Sequence, residues 1–311
     1  MSVPSDQLSP ALPGAEPTGA AAALDETRVP SRWGLVLKRF RRRRLAVAGL
    51  VVLVALFALA FLGPYLGRWS YTDHDFNAFL AGPSARHWFG TTQTGADLYA
   101  LTLRGMQKSL IIGLLVAVIA TGLAALVGSF AGYMGGWVDR VLMWFVELLL
   151  VIPAFLIIAI LSPNFRGRTW LLLVLVVAAF LWMVTARIVR GMTISLRERE
   201  YVLAARYMGV STPKIVFRHI LPNVSSLLII DATINVSVAI LTETGLSFFG
   251  FGVQPPDVSL GSLIADGQDS AVTYPWLFGF PAALLVLIVL AVNLVGDGLR
   301  DALDPTSGAA G

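Results

Sequence analysis

The chain has 311 residues, 56% of them hydrophobic and only 14% charged, with a formal charge of +4. A soluble domain carries roughly 25% charged residues, so the deficit excludes an ordinary water-exposed globule and points to an all-α polytopic membrane protein. The basic excess gathers at the ends of apolar runs, which argues for an orientation signal and against nucleic acid as a partner, and with no cysteine there is neither a disulfide framework nor a thiolate metal site.

Residues 1–31, rich in Pro, Ala, Gly and Ser, read as a disordered cytoplasmic tail rather than a signal peptide, because the first apolar run starts too far in and is too long. A basic segment, 32–44, holds Arg32, Lys38, Arg39 and the block Arg41 to Arg44, and abuts an apolar run over 45–67. About 20 residues cross the hydrocarbon, so this run predicts a first transmembrane helix whose basic N-terminal flank is cytoplasmic. The polar, aromatic stretch that follows, with Trp69, Tyr71, Trp88 and Tyr99, is expected outside, partly helical near Gly95 to Lys108. Further spans are predicted over 110–131, 141–161, 170–186, 224–249 and 276–296, with a short external loop over 162–169 and a second tail over 306–311. Gly113, Gly122 and Gly128 offer close packing in the second span, and Pro153 predicts a kink in the third. Six crossings leave both termini in the cytoplasm. The basic residues of 187–223 then fall on the cytoplasmic side, as the charge rule requires.

That cytoplasmic segment holds a helix-prone island from Glu200 to Asn223. At 100° per residue Tyr201, Ala204, Ala205 and Met208 share one arc, and two alanines there would let another protein approach the backbone closely. Gly209 suits the left-handed end of a helix, Ser211 or Thr212 a new cap, and Pro213 the first turn that follows. In the second helix Val216, Phe217, Ile220 and Leu221 form an apolar arc opposite Lys214 and Arg218, and Pro222 closes the unit. A helix, a glycine turn and a second helix outside the bilayer predict a docking knob.

No G-x-x-x-x-G-K-S/T loop, H-E-x-x-H pair or G-x-S-x-G elbow occurs, so no nucleotide cradle, zinc protease site or nucleophilic hydrolase is expected in this chain, and no metal or cofactor. Glu147, Asp231 and Glu243 are the carboxylates inside spans, the last two placed near helix ends, and Asn235 accompanies Asp231 one turn on. A charge in the bilayer costs at least about 2.5 kcal/mol, so such residues line a wet path or pair structurally, and the two readings weigh equally here. An ion-coupled transporter relaying through these carboxylates is a competing class; it predicts inverted repeats with broken helix pairs, which the sequence does not display. A plain membrane scaffold would not explain an alanine-lined face.

Ala204, Ala205, Gly209, Leu221 and Pro222 have the spacing of the EAA loop of bacterial ABC importer permeases, and the chain resembles that family. Leu203 and His219 stand where the simplest form of the motif has Glu and Ile, whereas Glu200 satisfies the variant of the dipeptide/oligopeptide/nickel branch. The C-type subunit of that branch is further matched by Phe89-Gly90-Thr91 with Gly95 and Asp97, by residues 135–140, by Arg187, Arg190 and Gly191, and by 246–256 and 293–305. Thr92 and Ala96 depart from the Asp and Arg common in the external segment. The resemblance implies a type I importer fold and a peptide permease that forms half of a pore with a second, homologous permease. It also implies two ATPase subunits holding ATP–Mg, an extracytoplasmic peptide-binding protein, and membrane lipid around the spans. Glu200, Tyr201, Ala204, Ala205, Met208, Gly209 and Pro222 would then couple to the ATPase, with nickel or another small solute as the alternative cargo.

Overall fold

The computed structural model describes residues 32–162 and 170–303; the expected tails, and nearly all of the expected loop over 162–169, lie outside the described residues. Every regular element in them is helical. The basic segment forms its own helix, α1 (Arg32–Arg42), separated by an extended Arg43 from α2 (Arg44–Leu62), which ends in a 3₁₀ turn at Gly63–Tyr65. The second helix, α3 (Leu98–Met134), begins well before the expected Leu110. Asp97 caps it by accepting the Ala100 amide at 2.9 Å. The first turns of α3 carry Arg104, Gln107 and Lys108, so they fail a test for apolar residues while remaining good helix.

The third and fourth spans are broken. α4 (Gly136–Val151) and α5 (Ala154–Leu161) meet at 76°. Ile152 (ψ 123°) and Pro153 (ψ 108°) both leave the helical region, and proline has no N–H to continue the ladder. α6 (Leu171–Leu181) and α7 (Met183–Arg197) meet at 44°, so the fourth helix runs beyond the expected Ala186 to Arg197. No Gly or Pro marks that bend; the Trp182 indole donates to the Ala179 carbonyl at 2.9 Å beside it.

α8 (Glu200–Tyr207) and α9 (Thr212–Ile215) form the two helices of the knob, but α9 passes through a π turn (Val216–Ile220) into α10 (Leu221–Phe248), giving one apolar helix over Thr212–Phe248. Pro222 therefore does not close the unit. It lies in the first turn of α10, after the π turn, a position where the missing N–H costs little. A short α11 (Leu260–Gln268), with a Ser259–Ser262 capping box, precedes α12 (Pro275–Leu303). Among the described residues four helices are long and apolar enough to cross a membrane, or up to six if each bent pair is one span.

α3 is the axis of the bundle. Its Leu103, Met106 and Leu110 pack with Leu56 and Ala60 of α2, Ile240 of α10 and Ile288 of α12, while Ile112 and Val116 join Leu173 and Val177 of α6. Against α7 the contact is backbone to backbone: a Cβ at Gly128 would lie 2.4 Å from the Ala186 carbonyl oxygen, and one at Gly132 would lie 2.6 Å from that of Arg190. Gly113 instead approaches a side chain, a Cβ there lying 2.8 Å from Ile240 Cγ1, and a Cβ at Gly122 would have nothing within 4 Å among the described residues. Gly128→Ala is thus expected to force α7 outward and cost about 1–3 kcal/mol, read as a lower thermal unfolding midpoint in detergent, with Gly122→Ala unchanged as the control.

Candidate functional site

The knob is rooted rather than free. Val202 and Ala205 from α8, Ile215 from α9, and Val216 and Ile220 from the π turn are buried together, with Phe130 and Tyr133 of α3 and Leu196 of α7 packed against them. Arg197 at the end of α7 donates to the Gly132 carbonyl of α3 at 3.2 Å, and Arg190 of α7 forks onto both oxygens of Asp139 at the start of α4, fixing α7 to both. Gly209 turns the chain with φ +77° and leaves open space at its Cβ position, so its demand is conformational only. Its turn is closed by the Val210 amide donating to the Ala205 carbonyl at 3.1 Å.

The predicted arc divides on this scaffold. Ala205 is 2% exposed and belongs to the inner cluster, whereas Glu200, Tyr201, Ala204 and Met208 face outward. Tyr207 is 87% exposed, and Phe217, expected on the apolar arc of the second helix, is exposed while Val216 and Ile220 of that arc are buried, because the π turn shifts the register there. Ser211 occupies the cap position of α9 without a side-chain capping bond. Tyr201, Tyr207 and Met208 of the first helix and its end, with the small Ala204, and Phe217 of the π turn are thus left exposed above the buried cluster.

The intramembrane residues separate into two polar sites and one outlier. Asp231 lies near the middle of the continuous helix, not near its end, and ties three helices together. Thr185 of α7 donates to one carboxylate oxygen at 2.6 Å; Thr121 of α3 and Asn235 of α10 donate to the other, each at 2.9 Å. Glu243 is fully buried nearer the outer end, where one of its oxygens accepts from Ser247 at 2.6 Å and Ser259 at 2.7 Å. It thereby pins α10 to the cap of α11. Glu147 is exposed on α4, close enough to Arg190 for their charges to interact. Asp231 and Glu243, twelve residues apart on one helix, are separated by roughly 18 Å, and among the described residues no hydrogen bond or ion pair links either of them to Glu147. Thr121, Thr185, Ser247 and Ser259 went unsingled in the sequence. Ser247 had a readable signal, its place one turn after Glu243, whereas Thr121 and Thr185 come from remote helices.

The external segment before α3 is knotted by the residues of the 89–97 motif. Thr91 donates to the Ala78 carbonyl at 2.6 Å and accepts the Ala81 amide at 2.8 Å, and Thr92 accepts the Ala96 amide at 3.1 Å within its own turn. His87 lies between Asp97 at 2.8 Å and Asp75 at 3.4 Å, with Trp69 stacked on its ring and Arg86 paired to Asp75 at 3.0 Å. The Asn77 amide, then the His87 and Arg86 contacts, hold the Asp75 carboxyl below the ordinary carboxylate range against the opposing effect of burial. Because the folded value is depressed, this stabilisation is complete above the unfolded value of about 3.9 and is lost as pH falls through the lower folded value. Limited proteolysis is expected to cut this segment faster below about pH 4, with a smaller acid response in Asp75→Asn. Between the segment and α11 lies a cavity of about 640 Å³ lined by Thr92, Thr94, Gln254, Asp257 and Asp266. Asp257 is held there by Lys108 at 2.7 Å, whose ammonium also covers the Trp170 ring. Among the described residues no group of three or more His, Asp or Glu side chains is placed to hold a metal.

Comparison with known proteins bears on this arrangement along nearly its whole length. The family described as "Binding-protein-dependent transport system inner membrane component" matches residues 124–307, and the "N-terminal TM domain of oligopeptide transport permease C" matches residues 31–83. The oligopeptide transport system permease protein OppC of Mycobacterium tuberculosis is 59% identical over 282 residues, covering 90% of this chain and 97% of that protein. OppC of Bacillus subtilis is 34% identical, covering 97% and 98%. A putative peptide permease protein of Brucella suis is 39% identical, covering 86% and 89%. A solved structure of the MetNI methionine ABC transporter in inward-facing conformations aligns with TM-score 0.48 and 20% identity over 66% of this chain and 96% of that one. The chain belongs to the binding-protein-dependent transport-system inner-membrane components, the permeases of ABC importers, and is a multi-pass protein of the bacterial inner membrane.

Proposed function

We propose that this chain is the C-type permease subunit of an ATP-driven importer of di- and oligopeptides. It forms half of a translocation pore, a second homologous permease forms the other half, and an extracytoplasmic peptide-binding protein delivers the cargo. Two separate ATPase subunits hold ATP–Mg and carry out the hydrolysis, a reading supported by the lack of any G-x-x-x-x-G-K-S/T sequence in this chain. The observation that carries the reading is the 59% identity to a named oligopeptide permease over 90% of this chain and 97% of that protein.

The coupling surface is the outer face of the knob. Tyr201, Ala204 and Met208, framed by Glu200, present an apolar helix face to a groove of the ATPase, with Ala204 setting the distance of approach. Ala205 and Gly209 shape that face from within, and Pro222 starts the helix that leads away from it. Within the bilayer, Asp231 with Asn235 is the polar site best placed midway along a path; Glu243 serves the outer loop and Glu147 stands apart.

Uptake of labelled di- to pentapeptides by a strain lacking this chain is expected to be lost and to return on complementation, with nickel uptake unaffected. Loss of nickel uptake alone would transfer the reading to another cargo of the same machine. Peptide uptake that continued without any ATPase and followed the proton gradient would overturn it.

A further inference from the structure

Six cations fall within seven residues at 38–44, and orienting the first helix during insertion uses them only once. In the folded protein they sit on a docked element. Val36 and Phe40 of α1 pack on Val295, Leu299 and Ala302 of α12, and a Cβ at Gly298 would meet the Ala46 methyl at 2.1 Å and the Phe40 ring at 3.0 Å. Arg43 pairs with Asp301 at 3.3 Å. Lys38, Arg41, Arg42 and Arg44 are exposed and have no hydrogen-bond or ion-pair partner among the described residues. On the α1 wheel, Lys38, Arg41 and Arg42 lie opposite Val36 and Phe40.

Beside these cations are leucines that the fold leaves uncovered: Leu37 is 59% exposed and Leu45 72%. Arg44 and Leu45 are the first residues of the first membrane-spanning helix, so cations and leucines meet at the depth where the bilayer begins. A soluble anion would satisfy the cations but leave the leucines in water. Hydrocarbon alone would cover the leucines and leave the cations without counter-charge.

We propose that this face is a binding site for anionic phospholipid in the cytoplasmic leaflet. Arg41, Arg42, Arg44 and Lys38 hold headgroup phosphates, the guanidinium forks pairing with two oxygens at a time, and Leu37 and Leu45 lie against the acyl chains. Because α1 is also packed on α12, the lipid fastens the N-terminal helix and the last transmembrane helix to the membrane surface as one unit.

The test uses the full chain with its associated subunits, extracted from nanodiscs of phosphatidylcholine and phosphatidylglycerol in equal amounts, with retained lipid counted by native mass spectrometry. Wild type is expected to keep phosphatidylglycerol over phosphatidylcholine by about tenfold, and the variant with Lys38, Arg41, Arg42 and Arg44 all changed to Gln to lose most of that preference. Since these residues also orient the chain, Ser211→Cys, the sole thiol in a cysteine-free protein, reports the side of the knob through an impermeant maleimide. If the fourfold variant inserts inverted, the pair Lys38→Gln/Arg42→Gln, which keeps Arg39, Arg41, Arg43 and Arg44 for orientation, decides by losing about threefold of the preference. Equal retention of the two lipids by wild type, undiminished preference in the correctly oriented variants, or displacement of the bound lipid by inorganic phosphate at moderate concentration would each overturn the proposal.

Discussion

Ala204→Glu is expected to weaken copurification of the ATPase subunits by roughly a hundredfold, equivalent to about 2.7 kcal/mol, and to abolish uptake with it. Ala204 lies on the outer face of α8 between Tyr201 and Met208, so the new carboxylate stays out of the buried cluster beneath. Buried against a partner without a counter-charge it costs several kcal/mol, enough for the whole effect. Insertion, amount and thermal stability of the isolated chain should remain at wild-type levels. Ala205→Glu should fail by a different route: the side chain would enter the cluster of Val202, Ile215, Val216 and Ile220, and the knob itself would come apart. Pull-down from membranes, read beside the thermal midpoint of the chain, separates the two. Normal ATPase capture by Ala204→Glu would move the coupling surface elsewhere.

The second large effect is expected at Asp231. Replacing it by Ala leaves the hydroxyls of Thr121 and Thr185 and the amide of Asn235 without their acceptor, and a buried unsatisfied donor costs about 1–3 kcal/mol. The Asn235 amide also reaches the Thr121 hydroxyl at 3.4 Å, so the three losses will overlap rather than add. Asp231→Asn keeps one acceptor oxygen and should lose less. Thr185→Val combined with Asp231→Ala should cost little beyond Asp231→Ala alone. A thermal midpoint that falls in this order identifies a tie between α3, α7 and α10. An unchanged midpoint with lost uptake would instead place the carboxylate on the path of the cargo.

Much of this was legible before any coordinates. Long apolar runs and the side of their flanking cations led to the crossings, because the cost of a charge in hydrocarbon leaves few alternatives. The glycine at 209 announced the turn because few other residues take its positive φ. What stayed hidden depends on partners distant in sequence. Asp231 finds Thr185 across 46 residues and Thr121 across 110, and no local pattern predicts either. The wheel placed Ala204 and Ala205 together, but adjacent positions are 100° apart, and which one turns inward is decided by α3 and α7 beneath. The bend at Trp182 has no breaker residue, and Pro222 looked like a terminus because the π turn that accommodates it has no sequence signature.

The continuous helix over Thr212–Phe248 is a rod roughly 55 Å long, at 1.5 Å per residue. It is stiff along its axis, so force applied at the knob cannot be absorbed as shortening and must emerge as tilt. Asp231 fastens the rod to two neighbours near its midpoint, and Glu243 joins its far end to the cap of α11. A lever held at a central fulcrum swings its ends in opposite directions. With the knob as the coupling surface proposed above, narrowing on the cytoplasmic side and widening on the outer side would be a single movement of one helix, with no separate signal crossing the bilayer.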